Sequence, residues 1–349
     1  MNERRYNLGI ELLRTLMCYC VVATHFWNPW KFYLNPDIPK WERFLMDFRN
    51  YAVPVFMLMA FYFAAEHILC NEHDWQVRRL KRLFLPYWGW ALVSFGVFTL
   101  LTPYSPEFAC TLTDLGWELF LGTDKAIGSH MWFQSVLIIL SAVFVGLFAV
   151  PALRARAVPT LVALFCVAVA VDYSGLNFAI FKDMPFEMKN PLGRIFPMMT
   201  CAVVGLLFSG MKKAVCPAET GRRAYLIVIG ALGALFAANY PIFTKPEGFH
   251  YTGLNMPLVS VALFVAFANL PFERLPEVLA KAVLFISRRS MGIYVVHILV
   301  GRVMTELVFP HFGFRPYCLR GTMPIFIVCL VLCVVLERVL PKPLKGLVA

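Results

Sequence analysis

Three ionisable side chains interrupt the first apolar run of the chain. The segment ELLRTLMCYCVVATHF (11–26) carries Glu11, Arg14 and His25 among residues that otherwise suit a hydrocarbon surrounding. At 3.6 residues per turn, Arg14 and His25 point within about 20° of each other and Glu11 within about 40° of His25, so all three share one helix face with Cys18 between them. His25 stands about 16 Å beyond Arg14 along the axis. An acid beside a guanidinium can hold a polarised or anionic group. An imidazole, which titrates near neutrality, can act as a general base or as a nucleophile. Each residue also has a plainer reading: Arg14 snorkelling to the inner interface with Glu11 as its ion partner, and His25 as an interfacial histidine. Ionisable residues inside spans as a rule face a protein interior or a wet cavity, and their alignment on one face favours a reaction path.

The elements that must position this stripe are transmembrane helices. Of 349 residues, 60% are hydrophobic and 15% charged, well outside the usual range for a soluble domain. Ten apolar runs are long enough to span a bilayer: 8–27, 51–69, 83–102, 131–150, 158–178, 194–211, 224–240, 255–270, 291–309 and 322–340. The sequence therefore predicts an all-α polytopic membrane protein of about ten helices, organised as a single membrane domain over residues 1–349. The longer loops, 28–50 and 103–130, have room only for short interfacial helices. Nineteen of the 32 Lys and Arg residues fall on one side if the N-terminus is cytoplasmic, which places both termini inside. The net charge of +11 then reads as orientation in the bilayer, and no nucleic-acid motif accompanies it. No cleavable signal peptide is evident. Most cysteines lie in apolar runs as small hydrophobes; Cys110 and Cys318 sit in outer loops where a bridge is conceivable. No metal-ligand spacing is present.

Further residues fit a chemistry spread across the bilayer. Arg78, Arg79, Lys81 and Arg82 form a dense basic group at the inner face, read either as a topogenic cluster or as a phosphate-binding one. His130 and Trp132 begin the fourth span at the level of His25. The indole is either an aromatic-belt anchor or a platform for a sugar ring. Tyr294 and His297 lie in the ninth span as structural or site residues.

The order of these features resembles the acyltransferase-3 family of integral membrane O-acyltransferases. Arg14 and His25 match its Arg-x10-His signature. YAVPVFMLMAFYF (51–63) looks like its second helix, and Arg79 and Arg82 match its Arg-x-x-Arg motif. HMWFQSVLIIL (130–140) resembles its His-x-Trp-Phe helix start, and SRRSMGIYVVH (287–297) its Ser-x-Gly-Ile-Tyr-x-x-His element. Two departures stand out: Ala60-Phe61-Tyr62 replaces the family's usual Ser-Gly-Tyr and, more mildly, Glu11 replaces the more usual Asp. The resemblance implies an O-acetyltransferase of the compact kind, without an extracytoplasmic hydrolase-like domain, in a bacterial cytoplasmic membrane. No bound cofactor is expected; acetyl-CoA serves as co-substrate and an envelope glycan or lipid-linked sugar as acceptor. It further implies His25, with Arg14 and Glu11, at the reacting centre. Arg79, Arg82 and Arg78 then meet the donor, and His130, Trp132, Tyr294 and His297 lie on the acceptor side. A transporter or exporter using the same polar path without chemistry is the competing reading, and a non-catalytic envelope anchor is a third.

Overall fold

The computed structural model describes residues 7–26, 48–122, 130–174, 176–181, 183–184, 191–211, 228, 232, 255–269, 275–312 and 319–348. Its principal helices are α1 (Leu8–Phe26), α2 (Ala52–Leu69), α3 (His73–Leu101), α4 (Leu112–Leu121), α5 (Trp132–Ala149), α6 (Ala157–Tyr173), α7 (Ile195–Gly210), α8 (Asn255–Asn269), α9 (Glu277–Ser287), α10 (Ser290–Val303) and α11 (Leu319–Val339). No strand occurs among the described residues. Six helical stretches are long and apolar enough to cross a bilayer, and three shorter apolar helices accompany them. The chain is an all-α polytopic membrane protein, as its sequence predicts. Eight of the ten predicted spans coincide with helices to within a few residues, and a ninth overlaps α3. The run 224–240 lies outside the described residues, apart from positions 228 and 232.

The third span departs from expectation at its start. Residues 70–82 read as a cytoplasmic segment, yet the helix is continuous from His73. The actual break is at Asn71, whose φ of 56° is left-handed. Its amide bonds the Ile68 carbonyl (3.1 Å), and the next amide, of Glu72, returns to His67 (3.0 Å). This closure is of the Schellman type, with an asparagine that tolerates the αL conformation. No helix breaker follows until Pro86, so Arg78, Arg79 and Arg82 ride on a helix rather than in a turn. The loop between α3 and α5 holds the short helix α4, started by a Thr111–Asp114 capping box and ended by Gly122 at φ 67°.

Close approaches hold α1 inside the bundle. It touches α2, α8, α9, α10 and α11. Gly301 of α10 leaves the space that the Phe26 ring occupies, and Gly205 of α7 lies against the Leu58 carbonyl of α2. Small residues at such crossings let backbones meet where lipid supplies no hydrophobic drive between helices. Apolar side chains on α11 (Ile327, Val331, Val335) and α3 (Trp88, Leu92) stay exposed, as lipid-facing surfaces do. Cys110 is a free thiol, while Cys318 lies outside the described residues.

Candidate active site

The polar stripe of α1 packs against other helices at both of its ends. At the N-terminal end the Glu11 carboxylate is buried. Its Oε2 accepts from Arg14 Nη1 at 2.9 Å and from the Ser287 hydroxyl at the end of α9. Thr15 adds a bond from its hydroxyl to the Val283 carbonyl at 3.2 Å, pinning α1 to α9. One turn further, the Cys18 thiol reaches the Ser290 carbonyl (3.7 Å). Arg14 is a quarter exposed, and its guanidinium lies 5.7 Å from the centre of the Phe63 ring.

At the other end of the stripe three imidazoles meet. The His25 ring lies 5.0 Å from His297 and 6.2 Å from His130, and His130 and His297 are 4.9 Å apart, centre to centre. His25 keeps an exposed surface, whereas His130 and His297 are buried. The Tyr294 hydroxyl donates to the His130 carbonyl, which ties α10 to the start of α5. His297 Nδ1 donates to the Tyr294 carbonyl at 2.5 Å. A carbonyl can only accept, so in the neutral ring Nε2 is the lone-pair nitrogen. That Nε2 is buried without a hydrogen-bond partner among the described residues. The arrangement provides a fixed proton acceptor beside a more accessible imidazole. Among the described residues no group of His, Cys, Asp or Glu is arranged to hold a metal ion.

A cavity of about 180 Å³ has both Arg14 and Tyr294 on its wall. The rest of its lining is Phe56, Met59, Ala60 and Phe63 of α2, Phe133 and Leu137 of α5, and Ser290 and Met291 of α10. Ala60, the residue standing in place of the family's serine, is therefore on the cavity wall. Phe61 points away from it, fully buried against Phe144 (5.2 Å between ring centres).

The basic group divides. Arg79 turns inward, its guanidinium between the rings of Trp75 (5.5 Å) and Phe61 (5.7 Å). Its Nε and Nη2 lack hydrogen-bond partners among the described residues. Arg78 and Arg82 are exposed on the same helix. Trp132 is buried, with the Arg194 guanidinium 4.0 Å from its ring centre, so that cation occupies a face a sugar would use.

The structure thus brings His25, His130, Tyr294 and His297 into one cluster, and pairs Glu11 with Arg14, which shares a cavity wall with Tyr294. The sequence singles out neither Ser287 nor Arg49. Ser287 opens the 287–297 stretch, but the Ser-x-Gly-Ile-Tyr-x-x-His match within it begins at Ser290. Arg49, in the poorly patterned 28–50 segment, is buried and donates to the Ala23 carbonyl (3.2 Å), two residues before His25. Neither has a periodic signal of its own.

The fold is that of a multi-pass membrane protein with ionisable side chains gathered between its helices. A family model described as an acyltransferase domain, that of the acyltransferase-3 family, matches residues 7–337. The chain belongs to that family and is a multi-pass membrane acyltransferase. No curated protein and no solved structure matches it.

Proposed function

We propose that this protein is an O-acetyltransferase that takes an acetyl group from cytosolic acetyl-CoA and places it on a hydroxyl of an envelope glycan or lipid-linked sugar. Its place is the bacterial cytoplasmic membrane, with both termini inside and residues 1–349 acting as one domain. The observation that carries this reading is the cavity lined by both the anchored Arg14 and Tyr294, whose ring lies beside those of His130 and His297. The exposed Arg78 and Arg82, with Arg79, suit the donor's phosphates, because a guanidinium fork matches phosphate geometry. Arg14, held by Glu11 and Ser287, steadies the donor's arm along the cavity. The acceptor approaches His25 from its exposed side, beside His130, Tyr294 and His297.

In the reaction His25 accepts the proton of the acceptor hydroxyl as its oxygen attacks the thioester carbonyl. The tetrahedral adduct collapses with cleavage of the carbon–sulfur bond. The coenzyme leaves as a thiolate and takes up the proton, so the products are an ester and the free thiol. His297, with its lone pair fixed by the Tyr294 carbonyl, sits where it can share that proton with His25.

The test is acetyl transfer by protein in native membranes, read as free coenzyme thiol released and as acetyl mass on the envelope glycans. His25→Ala is expected to lower the rate about 10²- to 10⁴-fold, the usual worth of a positioned base. A His25→Ala protein that acetylates at the wild-type rate would overturn the mechanism. Solute movement without thiol release would favour transport instead.

A further inference from the structure

Helix α3 runs unbroken from His73 to Leu101, with Pro86 inside it dividing it into two limbs. A proline inside a helix removes one backbone donor and clashes with the carbonyl four residues earlier, here that of Arg82. The limb after Pro86 is tied down by three aromatic side chains. The Tyr87 hydroxyl donates to the Glu118 carbonyl (3.0 Å), Trp88 Nε1 to Leu119 (3.2 Å) and Trp90 Nε1 to Leu347 (2.8 Å). The limb before Pro86, 73–85, carries Arg78, Arg79 and Arg82. At the joint, the fully buried Gln134 of α5 donates from Nε2 to the Leu83 carbonyl at 2.6 Å. Its Oε1 is buried without a hydrogen-bond partner among the described residues. A buried carboxamide left half-satisfied is costly, so a bond to one particular carbonyl is the feature it secures. Gln134 also lies in the first turn of α5, four residues after His130.

We infer that Gln134 is a positioning residue: by holding the Leu83 carbonyl in the turn opened by Pro86, it sets the angle of the arginine-bearing limb relative to the imidazole cluster. This rests on the proposed donor role of that limb. Gln134 touches neither substrate. It acts through α3, so its effect falls on how the donor binds rather than on proton transfer at His25. With the bond removed, the limb before Pro86 swings and the exposed guanidinium groups of Arg78 and Arg82 no longer face the donor's phosphates.

The experiment measures KM and kcat for acetyl-CoA in native membranes, and binding of coenzyme A itself to the purified protein, for wild type, Gln134→Leu, Pro86→Ala and the double variant. Gln134→Leu is expected to raise KM and weaken coenzyme binding about three- to tenfold, the equivalent of one hydrogen bond, with kcat within about twofold of wild type. Pro86→Ala, which regularises the turn, is expected to shift KM the same way. The double variant should be no worse than either single, because both act on one joint. Unchanged KM and coenzyme binding in Gln134→Leu, a loss confined to kcat, or additive shifts in the double variant would each overturn the inference. If Gln134→Leu does not accumulate, Pro86→Ala alone decides, by whether KM moves apart from kcat. Wild-type protein that neither binds coenzyme A nor turns over acetyl-CoA refutes the parent function, a result distinct from wild-type turnover with an unaffected variant.

Discussion

The N-terminal anchor of the stripe can be tested without reference to any substrate. Glu11 Oε2 receives both the Arg14 bond and the Ser287 bond, so removing either partner disturbs the same oxygen. Ser287→Ala deletes a hydrogen bond to a buried charged group, worth about 1.5–3 kcal/mol. Glu11→Gln removes the charge. Arg14 is 26% exposed and can turn to water, so the loss falls at the low end of the about 3–5 kcal/mol typical of a buried pair broken on one side. Because the single changes share one bond, the double variant should cost little more than the larger single change. The expected coupling is about 1–2 kcal/mol, inside the range for residues in one network. Reversible unfolding in mixed detergent micelles, or steric trapping in bilayers, measures all four proteins. A double variant whose loss equals the sum of the singles would show that Ser287 and Glu11 do not share the bond and would refute the anchored arrangement.

Two further expectations concern packing around α1 and the cavity. Gly301→Leu drives a side chain into the space of the Phe26 ring and should destabilise by about 1–3 kcal/mol through overpacking. Adding Phe26→Ala should restore part of that stability in the same unfolding measurement. Ala60→Phe places a ring in the cavity that Arg14 and Tyr294 line and should lower kcat/KM for acetyl-CoA about ten- to hundredfold by displacing the donor. Ala60→Ser, which adds only a hydroxyl, should stay within about threefold of wild type in the thiol-release assay.

How much was legible in the chain follows from the range over which each signal acts. Apolar runs and the 3.6-residue period are local, so the spans and the shared face of Glu11, Arg14 and His25 can be read directly. The start of α3 could not, because the stop at Asn71 depends on a left-handed turn that asparagine permits but does not require. Arg79 and Arg82 look alike in sequence. Only the placement of Phe61 and Trp75 turns one inward and leaves the other exposed.

The sequence by itself determined an all-α membrane protein, a polar face on its first helix and the family to which it belongs. The tertiary structure decided which distant residues complete that face. His130 and His297 lie more than a hundred positions from His25, and Ser287 is 276 from Glu11. Their meeting depends on close crossings such as that of Gly301 with Phe26. A helical period states which side chains share a face, but what that face meets is settled by packing among helices whose lipid-facing sides are all similarly apolar.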